Sequence, residues 1–339
     1  MPPRTDWREE IPPGEEQQLE ALAQQLRALQ QRISQGAGRA LHLKSHVGIR
    51  AEFVVLPDLP PHARVGIFAS PGSYQAWARY SNGGPLRTSD HKPDVRGLAL
   101  KLLGVPGRKL IPGMEDATTQ DFLLINTPKQ SFRNADEFVF FVLAAQNQLT
   151  LLPKAIARLG FGRTLDVIRS FTALGKPGPS LATRRLWSSA PIRWGDYAAR
   201  YGVVPLAPPP PAGPLPPSAD YLADDLAQRL SQGAVEYDFA VQFYSDAVKT
   251  PIEDASVEWK EDDAPFVRVA RVVIPKQDVR SPEGHKRGEY VESLSFDPWH
   301  APVEFRPLGN LQRARNHAYR VSVMARHAAP EPTGVEAAA

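Results

Sequence analysis

VGIRAEFVVL (residues 47–56), QAWARYS (75–81) and VRGLALKLLG (95–104) succeed one another across the Pro/Gly-rich turns LPDLPPHA, SPGS and SNGGP. RVGIFA (64–69) is a further short run between them, and TQDFLLIN (119–126) leads into Thr127-Pro128. Short segments of this kind, bounded by turn residues, predict an antiparallel sheet or barrel. The same pattern resumes at VEYDFAVQFYSDA (235–247), VEWKEDD (257–263) and FVRVARVVIP (266–275). Strands on both sides of the Pro-rich stretch 205–217 predict one α+β domain built around one sheet.

Helical signals flank these runs. EEQQLEALAQQLRALQQRIS (15–34) sets Leu19, Leu22, Leu26, Leu29 and Ile33 at spacings of three and four, the mark of an amphipathic helix with a narrow packing stripe. Helical periodicity also covers 134–149 and 153–173, a further helical pair is expected at 180–200, and LGNLQRARNHAYRVSVMARH (308–327) reads as a last helix. We expect residues 1–14 to form a surface arm and 15–327 the domain. Within the domain, PLAPPPPAGPLPP (205–217) would be a semi-rigid wrapping segment, and the tail 328–339 would be disordered.

Composition narrows the function. Of 339 residues, 42% are hydrophobic and 23% charged, as in ordinary globular proteins. Forty Lys and Arg against 37 Asp and Glu, mixed along the chain, form no basic stripe, so no nucleic-acid partner is expected. The absence of cysteine excludes disulfides, thiolate nucleophiles, Cys-ligated zinc, Fe–S clusters and thiolate-ligated haem. No secretory signal and no membrane-length apolar run is read, so the expected location is the cytoplasm.

No P-loop, nucleotide-binding glycine fingerprint or HExxH is present. What the chain does carry is a set of polar clusters inside otherwise apolar patterns. They are Arg39-Ala-Leu-His42-Leu-Lys44-Ser-His46, Arg79-Tyr80-Ser81-Asn82, Asp94-Val-Arg96-Gly97, Asn126-Thr127-Pro128, and Arg315-Asn-His-Ala-Tyr319 with Arg326.

The ensemble resembles the haem catalase superfamily, and more closely its short catalase-related peroxidase branch. Arg39, His42 and Lys44 match the family's R-x-x-H-x-K motif, Arg79-Tyr80-Ser81 its R-F-S strand, and Arg96-Gly97-Leu98-Ala99 its R-G-F-A segment. Asn126-Thr127-Pro128 matches the N-T-P with the distal Asn, Arg315 to Tyr319 the proximal R-x-x-x-Y, and Arg326 the propionate-binding Arg. The motifs keep their order from about residue 39 to 327. The resemblance implies a catalase-like fold with haem b against an antiparallel barrel and helices packed around it. It implies Tyr319 as the iron ligand, His42 as the distal acid–base group, Ser81 as its orienter and Asn126 as a hydrogen-bond donor. Arg39, Arg79 and Arg326 would hold the haem propionates.

These roles suit the residue types. A phenol with an ordinary pKa near 10 must be held as phenolate to ligate iron, and Arg315, one helical turn upstream, can support the anion. A neutral imidazole can take a proton from one peroxide oxygen and return it to the other. His46 competes with His42 for that role, but only His42 keeps the three-residue offset from Arg39. Phe122, Phe132, Phe138, Phe140 and Phe141 surround the Asn126 segment, with core packing their default.

The chain departs from ordinary catalases in its shortness, in Tyr80 for the family's Phe, in His46, and in the Pro run. The implied activity is reduction of hydrogen peroxide or organic hydroperoxides at the cost of a small organic donor. An allene-oxide-forming type of hydroperoxide isomerase, a non-catalytic haem protein and a haem-free barrel remain alternatives. The oligomeric state stays open, a homodimer included.

Overall fold

The computed structural model describes residues 2–34, 39, 41–173, 177–188, 190–211 and 213–334. Helix α1 (Glu15–Ser34) precedes strands β1 (Ser45–Val55), β2 (Gly72–Asn82), β3 (Arg96–Leu103) and β4 (Thr119–Ile125). Helices α2 (Ala135–Ala144), α3 (Gln148–Leu159) and α4 (Phe161–Ala173) follow, then β5 (Leu186–Ser188), β6 (Ile192–Trp194) and β7 (Tyr197–Pro205). The chain continues through α5 (Tyr221–Gln232), β8 (Val235–Phe243), β9 (Val267–Ile274), α6 (Pro282–Ser293) and α7 (Asn310–Ala325).

The strands form one sheet in the order β5-β4-β3-β2-β1-β9-β8-β7-β6, and β5 also pairs with β7. That pairing closes eight antiparallel strands into a barrel and leaves β6 as a hairpin arm on β7. Closure requires close approach at Gly202, where a Cβ would stand 2.9 Å from the Leu186 carbonyl oxygen. The expected antiparallel barrel with packed helices is therefore the fold.

Alternation along the strands separates interior from exterior. Ala76, Ala78 and Tyr80 of β2, Leu98, Leu100 and Leu102 of β3, and Phe122 and Leu124 of β4 join the barrel core. There Phe53 lies 5.0 Å from Phe239, which lies 5.0 Å from Phe122, between ring centroids. Tyr80 is tolerated in this interior because its hydroxyl meets that of Tyr237 at 2.8 Å, and Tyr237 donates to the Leu181 carbonyl. The alternate residues Arg79 and Ser81, Gly97 and Ala99, and Leu123 and Ile125 consequently share the outer face of β2 to β4.

Several expectations are corrected. The helical pair expected at 180–200 is instead strands β5, β6 and the start of β7. Ile192 and Trp194, then Ala199, Tyr201 and Val203, enter the core at a period of two, and Gly195 turns the chain at φ +62°. RVGIFA is not a strand but surrounds a short 3₁₀ turn that plugs the barrel with Ile67 and Phe68. Gly66 at φ +50° allows this, since a Cβ there would strike the Phe305 ring. VEWKEDD is a loop, and α5 and α6 are additional to the elements read from the sequence. The described residues between β7 and α5 have no regular structure and are mostly exposed. No helix among the described residues is long and apolar enough to cross a membrane.

The N-terminal arm is laid on the barrel: Trp7 donates to the Asp196 carbonyl, and Glu9 pairs with Arg306 and Arg313. The tail expected to be disordered from Ala328 is instead bound through its described part, while 335–339 lie outside the described residues. Glu331 reaches a buried polar cluster on the outer face of β3 and β4. There it meets Lys101 Nζ at 2.7 Å and accepts from Thr119 and Ser295 at 2.6 Å. Lys101 is also paired with Asp121 at 2.8 Å, and His300 Nδ1 lies 2.8 Å from Asp121. Burial pushes the Glu331 carboxyl up, but Lys101 and His300 outweigh it and hold it at about 2.

A carboxyl held below its unfolded value stabilises the fold above that value, and the contribution fades as pH falls toward the folded one. Glu331→Ala should therefore cost about 1–3 kcal/mol at neutral pH. Urea unfolding checks this, with the difference from wild type shrinking between about pH 4.5 and pH 2.

Candidate active site

The outer face of β2 to β4 is covered by α1, α2 and α7, and between them lies a cavity of about 360 Å³. Its apolar walls include Leu19, Leu22 and Leu26 of α1 and Phe138, Val139 and Val142 of α2. The stripe read on α1 as a packing surface is thus also a cavity wall. The cavity is of ligand-binding size and is mostly apolar with a few converging polar groups. His42 and Ser81 line it, as do Tyr319 and Arg315, and so do Arg39, Arg79 and Arg326. Asn126 does not.

His42 enters from the segment before β1 with φ +55°, an uncommon backbone conformation for a residue with a side chain. Its amide donates to the Gly83 carbonyl and its carbonyl accepts from Arg79 Nη2 at 2.8 Å, which fixes the strained residue from both sides. The ring lies across Gly97, where a Cβ would stand 2.8 Å from Cε1. Gly97 is therefore required by close approach, which gives the R-G-L-A segment a physical reason. Nδ1 lies 2.9 Å from Ser81 Oγ, and Nε2 has no hydrogen-bond partner among the described residues. Burial, then the positive charges of Arg79, Arg315 and Arg39, push His42 down to about 3, so the ring is neutral at physiological pH.

His46 is separated from this cavity. Its side chain is fully buried, with Nε2 2.6 Å from Asn82 Oδ1 and Nδ1 facing Asp90 at 3.8 Å. Burial lowers it to about 4 against the opposing effect of Asp90. Lys44 is an anchor outside the cavity, with Nζ 2.6 Å from Asp90 and 2.6 Å from Asp220. Asn126 has a comparable holding task. Its Oδ1 accepts from the Arg96 amide at 2.7 Å and its own amide donates to the Arg96 carbonyl, tying the end of β4 to the start of β3.

On the opposite wall, α7 starts at Asn310 after Gly309, whose φ is +86° and whose Cβ would clash with the Ile252 carbonyl. Arg313 anchors this helix against Glu9, Glu15 and Glu253. One turn separates Arg315 from Tyr319, and the guanidinium carbon lies 5.6 Å from the Tyr319 ring centroid. Arg315 Nη1 also donates to Gln312 Oε1 at 3.3 Å.

The cavity rim holds Arg39, Arg79 and Arg326 around the C-terminal end of α6. Arg79 grips Glu292 through Nε at 2.8 Å and Nη2 at 3.1 Å, and Arg39 Nε reaches the same carboxylate at 3.3 Å. Arg39 Nη2 and Arg326 Nη2 both donate to the Leu294 carbonyl, at 2.8 and 2.7 Å. Burial and then the neighbouring Arg79 and Arg326 charges lower Arg39 to about 9. Burial pushes the Glu292 carboxyl up, but Arg79 and Arg39 outweigh it and hold it below the usual carboxylate range. Three guanidiniums against one carboxylate leave two positive charges in excess at the rim. Glu292 was not visible as a site residue in the sequence, since it carries no motif and lies far along the chain from both arginines it binds.

No family model matches the sequence. A catalase-related peroxidase of Mycolicibacterium paratuberculosis (strain ATCC BAA-968 / K-10) is 28% identical over 303 residues, 85% of this chain and 88% of that protein. A bacterial catalase superposes with a TM-score of 0.63 at 17% identity, covering 86% of this chain and 57% of its own. A fungal catalase gives 0.66 at 16% identity with 87% and 60% covered, and catalase A from Saccharomyces cerevisiae gives 0.66 at 16% with 89% and 64%. The chain thus spans about three-fifths of the length of these catalases. The chain thus has the barrel fold of catalases and is similar in sequence to a catalase-related peroxidase over most of both chains.

Proposed function

We propose that the protein is a haem-dependent peroxidase that reduces hydrogen peroxide or organic hydroperoxides and oxidises a small organic donor. The observation that carries this reading is one apolar cavity with a neutral, partner-free histidine nitrogen, a tyrosine backed by arginine, and a cationic rim on its walls. The name and similarity of the mycobacterial relative support the same reading. A cytoplasmic location belongs to the proposal.

The residues present fit haem b. Its ring is apolar and its two propionates are anions, which matches the apolar walls and the excess of two positive charges at the rim. Arginine guanidiniums are suited to carboxylates by geometry as well as charge. Arg39, Arg79 and Arg326 would hold the propionates, and Tyr319 would be the iron ligand with Arg315 favouring its phenolate form. Haem, when bound, supplies the redox-active iron that accepts the oxidising equivalents of the peroxide and makes them available to a donor.

His42 performs the proton work. With Nδ1–H donated to Ser81 Oγ, Nε2 is left with a lone pair to take the proton of a peroxide and pass it to the departing oxygen. The low basicity of the ring keeps it from being trapped as imidazolium beside so many arginines. Gly97 gives the ring its place, and Asn126 acts at a remove by holding the strand ends on which that wall rests.

The purified protein should show a high-spin ferric haem spectrum with a phenolate charge-transfer feature. Tyr319→Phe should lose the haem or that feature while staying folded by circular dichroism, and an unchanged spectrum would remove Tyr319 as ligand. His42→Ala should lower kcat/KM for peroxide by about 10²–10⁴-fold, whereas His46→Ala should cost far less. In wild type, the acid limb of kcat/KM attributable to His42 should lie below about pH 5; a limb near 6.5 would contradict its neutral burial. Steady-state rates with hydrogen peroxide and cumene hydroperoxide, with and without a phenolic donor, test the activity. Donor oxidation is expected with both oxidants. Rapid oxygen release without donor oxidation would return the protein to plain catalase, and hydroperoxide loss without donor consumption to an isomerase.

A further inference from the structure

Glu292 is the carboxylate at the centre of a cationic rim, on an element outside every motif that the sequence resemblance supplied. Its two oxygens are engaged unequally. Arg79 presents its Nε–Nη2 edge to both of them, at 2.8 and 3.1 Å, while Arg39 adds Nε at 3.3 Å to Oε1. The remaining bonds of Arg39 run from Nη2 to the Glu292 and Leu294 carbonyls, and those of Arg326 run to the Glu292, Ser293 and Leu294 carbonyls. Nη1 of Arg39 and Nη1 of Arg79 have no protein partner among the described residues, and neither is a sealed, buried atom. Each fork is therefore held by one edge with another N–H group left over.

We propose that Glu292 is the positioning residue of the anion site: it locks the Arg39 and Arg79 forks so that their spare Nη1 groups meet the carboxylates of a bound tetrapyrrole. This rests on the haem reading above and extends it to a residue that does not itself touch the ligand. Two physical effects are combined. A planar guanidinium that is already fixed along one edge loses less conformational freedom when it binds an anion with another. The Glu292 charge also reduces the three positive charges of the rim to two, which a dicarboxylate would balance. Arg79 adds a link to the proton-handling side, because its Nη2 is shared between Glu292 and the His42 carbonyl.

The test is a cycle between the residue and the ligand's carboxylates. The full chain, freed of haem, is titrated with iron protoporphyrin IX and separately with its dimethyl ester, following Soret absorbance, for wild type, Glu292→Gln and Glu292→Asp. Glu292→Gln should weaken binding of the dicarboxylate about 10–100-fold, the range for one to two charge-assisted contacts. It should leave ester binding within about threefold of wild type, because the ester offers no carboxylate for the arginines to meet. Glu292→Asp keeps the charge and should show the same ligand-selective loss in smaller measure. If Glu292→Gln does not fold, the aspartate variant decides by the same selectivity. Equal weakening for both ligands would reduce Glu292 to a general structural contact, and tighter dicarboxylate binding would make it a competitor; either result overturns the proposal. Failure of wild type to bind either tetrapyrrole would overturn the haem reading and this inference with it, whereas an error about Glu292 alone leaves wild-type binding intact.

Discussion

A closed barrel leaves no freedom in which side of a strand faces out, and the site depends on that constraint. The interior is filled by rings in contact, among them Phe53, Phe122 and Phe239, so a one-residue slip of β2, β3 or β4 would drive polar groups into it. In the register observed, Gly97 pairs with Ser81 and Ala99 with Arg79. The Ser81 hydroxyl, the rim arginine and the glycine that makes room for the His42 ring therefore reach one outer surface together. Closure through β5 and β7 gives that surface a fixed curvature, against which α1, α2 and α7 complete the cavity.

The cavity's electrostatics follow from what it contains. Arg39 and Arg79 share the Glu292 carboxylate, Arg326 binds the backbone carbonyls beside it, and Arg315 faces them from α7. An excess of positive charge in an apolar enclosure does two things at once. It favours anions at the rim, and it keeps the nearby imidazole neutral. The same field that favours an anion at the rim thus holds His42 as an uncharged imidazole.

Residues 292–297 lie between this ionic system and a second one. On one side Glu292 and the Leu294 carbonyl hold rim arginines; on the other Ser295 donates to Glu331 and the Asp297 amide donates to Asp121. Phe296 separates the two, with Arg39 5.9 Å and Lys101 5.6 Å from its ring centroid. A tail residue, Glu331, is in this way tied to the segment that sets the rim. Such buried ion pairs hold a loop in one place, since breaking one leaves an uncompensated ion.

By itself the sequence determined what is encoded by period and by neighbours. Short β-patterned runs around Arg79, Gly97 and Phe122, bounded by Pro/Gly-rich turns, made the barrel legible, and the three-and-four spacing of α1 made that helix legible to its ends. The clusters Arg39 to His42 and Arg315 to Tyr319 named four residues of the cavity's polar wall, because each is a local arrangement along the chain. Only the tertiary structure decided the rest. Residues 180–200 became strands because β5 and β7 had each other to pair with, which no local propensity records. His42 rather than His46 took the cavity because Gly97 offers its ring a place while Asn82 and Asp90 hold the other. Asn126 was drawn to Arg96, and Glu292 and Glu331 found their arginines and lysine across more than two hundred residues. Counter-ions and closing strands are chosen by distance through space, and a linear pattern carries no measure of that distance.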